Sequence, residues 1–144
     1  MADAIGASDR NSADGRDDME RAWIDVMQRC ADLMPFFADS RLDVSATQVA
    51  RQLGVRRAQG LERLLRMRGL PPFRLLRNWI YIVQLAQRHE RGESVARWAM
   101  RRGEYPTPYY RMAIHETGQL WSVVAARGSA WCMAEAMLRW TPYL

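Results

Sequence analysis

Ser45-Ala46-Thr47-Gln48-Val49-Ala50-Arg51-Gln52-Leu53-Gly54 and Ser94-Val95-Ala96-Arg97-Trp98-Ala99-Met100-Arg101-Arg102-Gly103 share one pattern, 49 residues apart. Each opens on a serine suited to cap a helix N-terminus and closes on a glycine suited to a left-handed turn. Each has a small alanine, Ala50 or Ala99, at the position where a second helix would cross closely. The spacing continues downstream, because Gly69 recurs as Gly118. Leu61, Leu64 and Leu65 correspond to Tyr110, Ala113 and Ile114. Each unit therefore reads as N-cap, short helix, glycine turn, second helix and glycine stop. That order fits a helix-turn-helix, whose second helix is free to enter a major groove. It also fits a duplicated helical hairpin in a bundle with no DNA role.

Around the repeat, apolar spacing predicts further helices. Residues 45–53 and 57–68 form the first unit, and 94–102 with a helix ending at Thr117 form the second. Thr107 is placed as N-cap and Pro108 as the first helical residue of that last helix. Pro71-Pro72 opens a helix over 72–89, about 25 Å long at 1.5 Å per residue. Trp23, Val26, Met27, Cys30, Leu33, Met34 and Phe37 recur at three- and four-residue steps, predicting an amphipathic helix over 19–37 with a last turn disturbed by Pro35. Residues 1–18 are polar, acidic and aperiodic, and read as disordered. Residues 120–126 and 129–140 read as two more helices. No stretch alternates like a strand. The fold expected is all-α: two helix-turn-helix subdomains joined by a long linker helix, with extra N- and C-terminal helices. The expected divisions are 1–18, 19–40, 41–70, 71–91, 92–118 and 119–144.

Charge is asymmetric along the chain. All 21 basic residues are arginine. Residues 1–43 hold ten acids and five arginines, net −5, whereas 44–144 hold six acids and sixteen arginines, net +10. A basic body behind an acidic lead suits an anion-binding domain.

On these residues the chain resembles the DNA-binding domain of the AraC/XylS regulators, from about Val44 to Gly118. The segment Val44 to Val55 resembles that family's first helix-turn-helix. Gly69-Leu70-Pro71-Pro72-Phe73 resembles the entry to its linker helix, and Gly92 to Gly103 the start of its second unit. Tyr109-Tyr110 with Glu116-Thr117-Gly118 resembles its second recognition helix and stop. The resemblance implies two recognition helices entering successive major grooves. The chain departs from the family pattern at Arg56, Gly60 and Arg63, in a second turn one residue shorter, and after Gly118.

Base and phosphate contacts are expected from Arg57, Gln59, Glu62, Arg63 and Arg66 in the first unit, and from Thr107, Arg111 and His115 in the second. Arginine can read guanine, glutamine adenine, and glutamate can accept from cytosine, while the later arginines suit phosphates. Arg74 and Arg77 on the linker helix are candidates for the backbone. No catalytic motif, metal-ligand spacing or cofactor loop is present, so neither an enzyme nor a cofactor is expected. Cys30 and Cys132 read as buried thiols in a reducing cytoplasm. The acidic start is no secretion signal, and no apolar run nears the ~20 residues that span a bilayer. The function expected is a sequence-specific transcription regulator without a ligand-binding domain. Its expected partners are double-stranded DNA, with RNA polymerase or another protein as a second partner, and it acts as a monomer or as a homodimer through its C-terminal tail. The alternative is a helical protein–protein adaptor on the same scaffold.

Overall fold

The structure, a computed structural model, describes residues 2–38 and 45–144. Residue 1 and residues 39–44 lie outside the described residues. They include the expected junction between the N-terminal helix and the first unit, and Val44, where the family resemblance begins. The described residues are all-α, with nine α-helices and no strand. These are α1 (Ala2–Arg29), α2 (Met34–Ala38), α3 (Ala46–Gln52), α4 (Ala58–Met67), α5 (Phe73–Glu90), α6 (Val95–Arg101), α7 (Thr107–Thr117), α8 (Trp121–Arg127) and α9 (Ser129–Trp140). No described helix is long and apolar enough to cross a membrane.

The helix α5 is the axis of the fold. Ten of its eighteen residues are buried, including Trp79, Tyr81 and Leu85. So wide an apolar arc needs cover on several sides, and α2, α4, α6, α7, α8 and α9 all pack on it. The closest cover is α9, which also lies along α1. Trp140 at the end of α9 is fully buried, stacks on Trp23 of α1 at 5.3 Å, and donates its indole N–H to the Leu75 carbonyl. Burial of such a ring contributes on the order of 1.5–3 kcal/mol. The expected tail is thus an inner helix of the core.

A file of rings crosses the interior. Phe73 faces Phe37 at 6.0 Å, Phe37 meets Tyr81 edge-on, Tyr81 meets Tyr109, and Tyr109 meets Trp98 at 4.9 Å. Edge-to-face pairs of this kind set the electropositive rim of one ring against the face of the next. The file links α6, α7, α5 and α2 into one core.

Two expectations at the N-terminus are corrected. Residues 2–18, expected to be disordered, continue α1 as helix. Once the packed part between Trp23 and Cys30 has nucleated a helix, adding further turns is cheap, and Ala2, Ala4, Ala7 and Ala13 favour it. The single helix expected over 19–37 is interrupted instead. It leaves helical geometry at Cys30, makes a 3-10 turn over Ala31–Leu33 and resumes as α2. Pro35 falls in the first turn of α2, where its missing N–H leaves no helical bond unmade. The interruption keeps Val26, Cys30, Leu33 and Phe37 all buried.

Candidate nucleic-acid interface

The two repeated segments share the same geometry at the first helix and its turn. The Ser45 hydroxyl accepts from the Gln48 amide at 3.2 Å, and the Gln48 side chain accepts from the Ser45 N–H at 2.9 Å. Ser94 caps α6 in the same way, accepting from the Arg97 amide at 3.1 Å. The α3 helix ends at Gly54 with φ +75°, and α6 at Gly103 with φ +69°. Both values are accessible to glycine at little cost and strained for other residues. The carbonyls of Ala50 and Ala99 then accept from the N–H five residues on, of Val55 at 2.8 Å and Glu104 at 2.9 Å. Ala50 and Ala99 are both fully buried. Each pair has a five-residue turn, over 53–57 and 102–106.

The second helices do not match so simply. The 49-residue equivalence places Tyr110, Ala113 and Ile114 where Leu61, Leu64 and Leu65 stand. Instead α7 buries Tyr109, Met112 and Ala113, while Ile114 is exposed. The inward faces therefore correspond at a spacing of 48, and α7 is one residue longer than α4. Tyr109 is drawn inward by Trp98, by Tyr81, and by Glu104, whose carboxylate accepts its hydroxyl. Burial and that carboxylate raise the Tyr109 pKa well above the usual phenol range. Thr107 also departs from its expected place. The N-cap of α7 is Pro106, Thr107 is the first helical residue, and no side chain caps this end.

Of the eight expected contact residues, seven are exposed: Arg57, Gln59, Arg63, Arg66, Thr107, Arg111 and His115. Glu62 is the exception and corrects the expectation of base reading. It is half-buried and accepts from the Phe73 N–H at 3.2 Å. Pro72, the N-cap of α5, has no side-chain oxygen, so a carboxylate from the preceding helix satisfies the first amide of α5. Arg57, Gln59 and Arg63 line a shallow depression with Val55, Arg56 and Gly60. Arg111 and His115 line another, with Arg74 and Arg77 of α5. Gly60 has a packing reason to be glycine: a Cβ there would sit 2.2 Å from a methyl of Val55.

The ion-pairing pattern divides the molecule. Along the N- and C-terminal helices arginines are mostly spent. Arg21 and Arg29 pair with Asp18 and Asp25, and Arg139 pairs with Glu135. Arg68 grips Asp32 through both guanidinium nitrogens at 2.7 and 2.9 Å, holding that carboxyl below the usual range and tying α4 to the N-terminal segment. By contrast, Arg51, Arg56, Arg57, Arg63 and Arg66 of the first pair are exposed and have no partner among the described residues. The same holds for Arg74, and for Arg97 and Arg111 of the second pair. A guanidinium with five donors and no protein acceptor is available to phosphates or base edges. Sequence reasoning passed over Arg51, Arg56 and Arg97. For Arg51 and Arg56 the signal was present, as arginines with no acid three or four residues away.

Cys30 and Cys132 are free and buried, with burial raising their thiols to about 11 and about 12. They stay protonated at neutral pH. No family model, curated protein or solved structure matches the chain.

Proposed function

We propose that this protein is a sequence-specific DNA-binding transcription regulator, with α3–α4 and α6–α7 acting as two helix-turn-helix units joined by α5. The observation that carries the reading is a group of eight exposed arginines on those two pairs and the start of α5 with no partner among the described residues: Arg51, Arg56, Arg57, Arg63, Arg66, Arg74, Arg97 and Arg111. A surface that binds only solvent has no reason to concentrate its uncompensated cations there, whereas a polyanion rewards it. On this reading Arg57 and Gln59 contact base edges and Arg63 and Arg66 phosphates, with Thr107, Arg111 and His115 serving in the second unit. Glu62 is left out, since its carboxylate caps α5. The resemblance to AraC/XylS regulators agrees with this order of elements and rests on the residues alone.

The test is a titration of labelled random duplex across a salt series, with the full chain. Binding should weaken steeply as salt rises, with a log–log slope near −0.9 per phosphate neutralised. An Arg63→Ala/Arg66→Ala variant should bind more weakly and show a slope shallower by roughly 1–2. Absence of binding at low salt, or binding without a salt slope, defeats the reading and leaves the protein–protein adaptor.

A further inference from the structure

The depression between α5 and α7 has a chemistry that a flat DNA track does not require. Arg74 and Arg77 lie one turn apart on α5, and Pro108, Arg111, Met112 and His115 follow at three- and four-residue steps on one face of α7. Together they line an open depression of about 350 Å³, at the lower end of the size of small-molecule sites. Its basic rim is prepared in two ways. Arg74 and Arg111 are exposed and have no partner among the described residues. Arg77 is oriented from behind, its guanidinium donating to the Asn78 side-chain oxygen at 3.0 Å. Asn78 is buried and in turn donates to Glu116 on α7 at 2.8 Å, so the two helices are held in register beneath the concavity. The remaining wall, Pro108 and Met112, is apolar. The planar guanidinium forks of Arg74 and Arg111 match phosphate oxygens in pairs, and Arg77 adds positive charge beside them.

We propose that this concavity binds the phosphate of a small organic phosphate monoester, with the organic body against Pro108 and Met112. A monoester brings about −1.5 to −2 charges at pH 7, more than one phosphodiester of a DNA backbone. The other source of a phosphate here is that backbone, and the test separates the two. The site stands on its own geometry. Its overlap with the DNA face, through Arg111 and His115, rests on the proposed function.

The experiment is calorimetric titration of the full chain with AMP at low salt, with adenosine as the phosphate-free control. AMP should bind saturably and adenosine should not. Arg74→Ala/Arg111→Ala should weaken AMP by about tenfold or more, as expected when two charge-assisted bonds are removed. Both side chains are exposed and unpartnered, so the variant should keep its melting temperature. Arg16→Ala/Arg21→Ala removes the same charge from α1 and should leave AMP affinity unchanged. No saturable AMP binding, or equal weakening by both double variants, overturns the proposal. If Arg74→Ala/Arg111→Ala weakens duplex DNA while the parent chain ignores AMP, the phosphate is that of the backbone and the monoester site falls. If AMP binds as described and duplex does not bind at low salt, the monoester site stands and the DNA reading falls. If both bind, saturating AMP should raise the apparent Kd for duplex. An unchanged Kd would overturn the overlap.

Discussion

In α3–α4 two helices lie close together on small and aliphatic side chains, with Ala50, Leu61 and Leu65 fully buried between and beneath them. In α6–α7 the backbones stay further apart, and the contact is made by Trp98 against Tyr109, with α7 leaning on α5 and α8. Trp98 is further enclosed by the guanidinium groups of Arg88 at 5.5 Å and Arg102 at 4.5 Å. The two pairs nevertheless share the serine cap, the buried alanine and the positive-φ glycine. The lesson is that the ends of a short helix are set by backbone needs within a few residues, whereas the face it buries is set by what lies opposite. Large rings opposite α7 changed that face by one residue, and the caps did not move.

The largest test of this contrast is Tyr109→Ala. It removes a ring in contact with two others and the hydrogen bond to Glu104, so a loss of about 3–5 kcal/mol is expected in denaturant melts. If the loss is under about 1 kcal/mol, α7 does not depend on the aromatic file and the contrast is broken.

A smaller effect separates the alanines. Leucine at either position overpacks a filled site, costing roughly 1–3 kcal/mol. Ala50→Leu should cost more than Ala99→Leu, because α3 has a backbone close against it and α6 has rings that can adjust. Equal losses in parallel melts would show the two crossings to be alike.

The smallest effect concerns Gly60, in the first turn of α4. Alanine should gain about 1 kcal/mol from helix propensity, but its Cβ would overlap a methyl of Val55, a residue stiff at χ1. A net loss of about 1 kcal/mol is expected in the native chain and a net gain in a Val55→Ala background. A double-mutant cycle measures the difference directly. Additive effects would mean that Val55 does not rest on Gly60, and the close packing claimed for the first pair would lose its support.

Sequence alone determined the all-α class, the positions of Ser45, Ser94, Gly54, Gly103 and Gly118, and the burial of Ala50 and Ala99. Caps, stops and apolar spacing act within one or two turns, so neighbouring residues suffice to read them. It also located the basic body, since net charge is a sum that ignores geometry. Tertiary structure decided the rest. Glu62 became the cap of α5 because two prolines left an amide without a partner, and which carboxylate reaches it depends on how α4 returns toward α5. Ile114 faced outward and Tyr109 inward because rings from α5 and α6 were waiting there. The extension of α1 through residues 2–18 followed from a helix already held by packing. The separation of free from paired arginines depended on which acids came within reach only after the chain had folded, as Asp32 did for Arg68 across 36 residues.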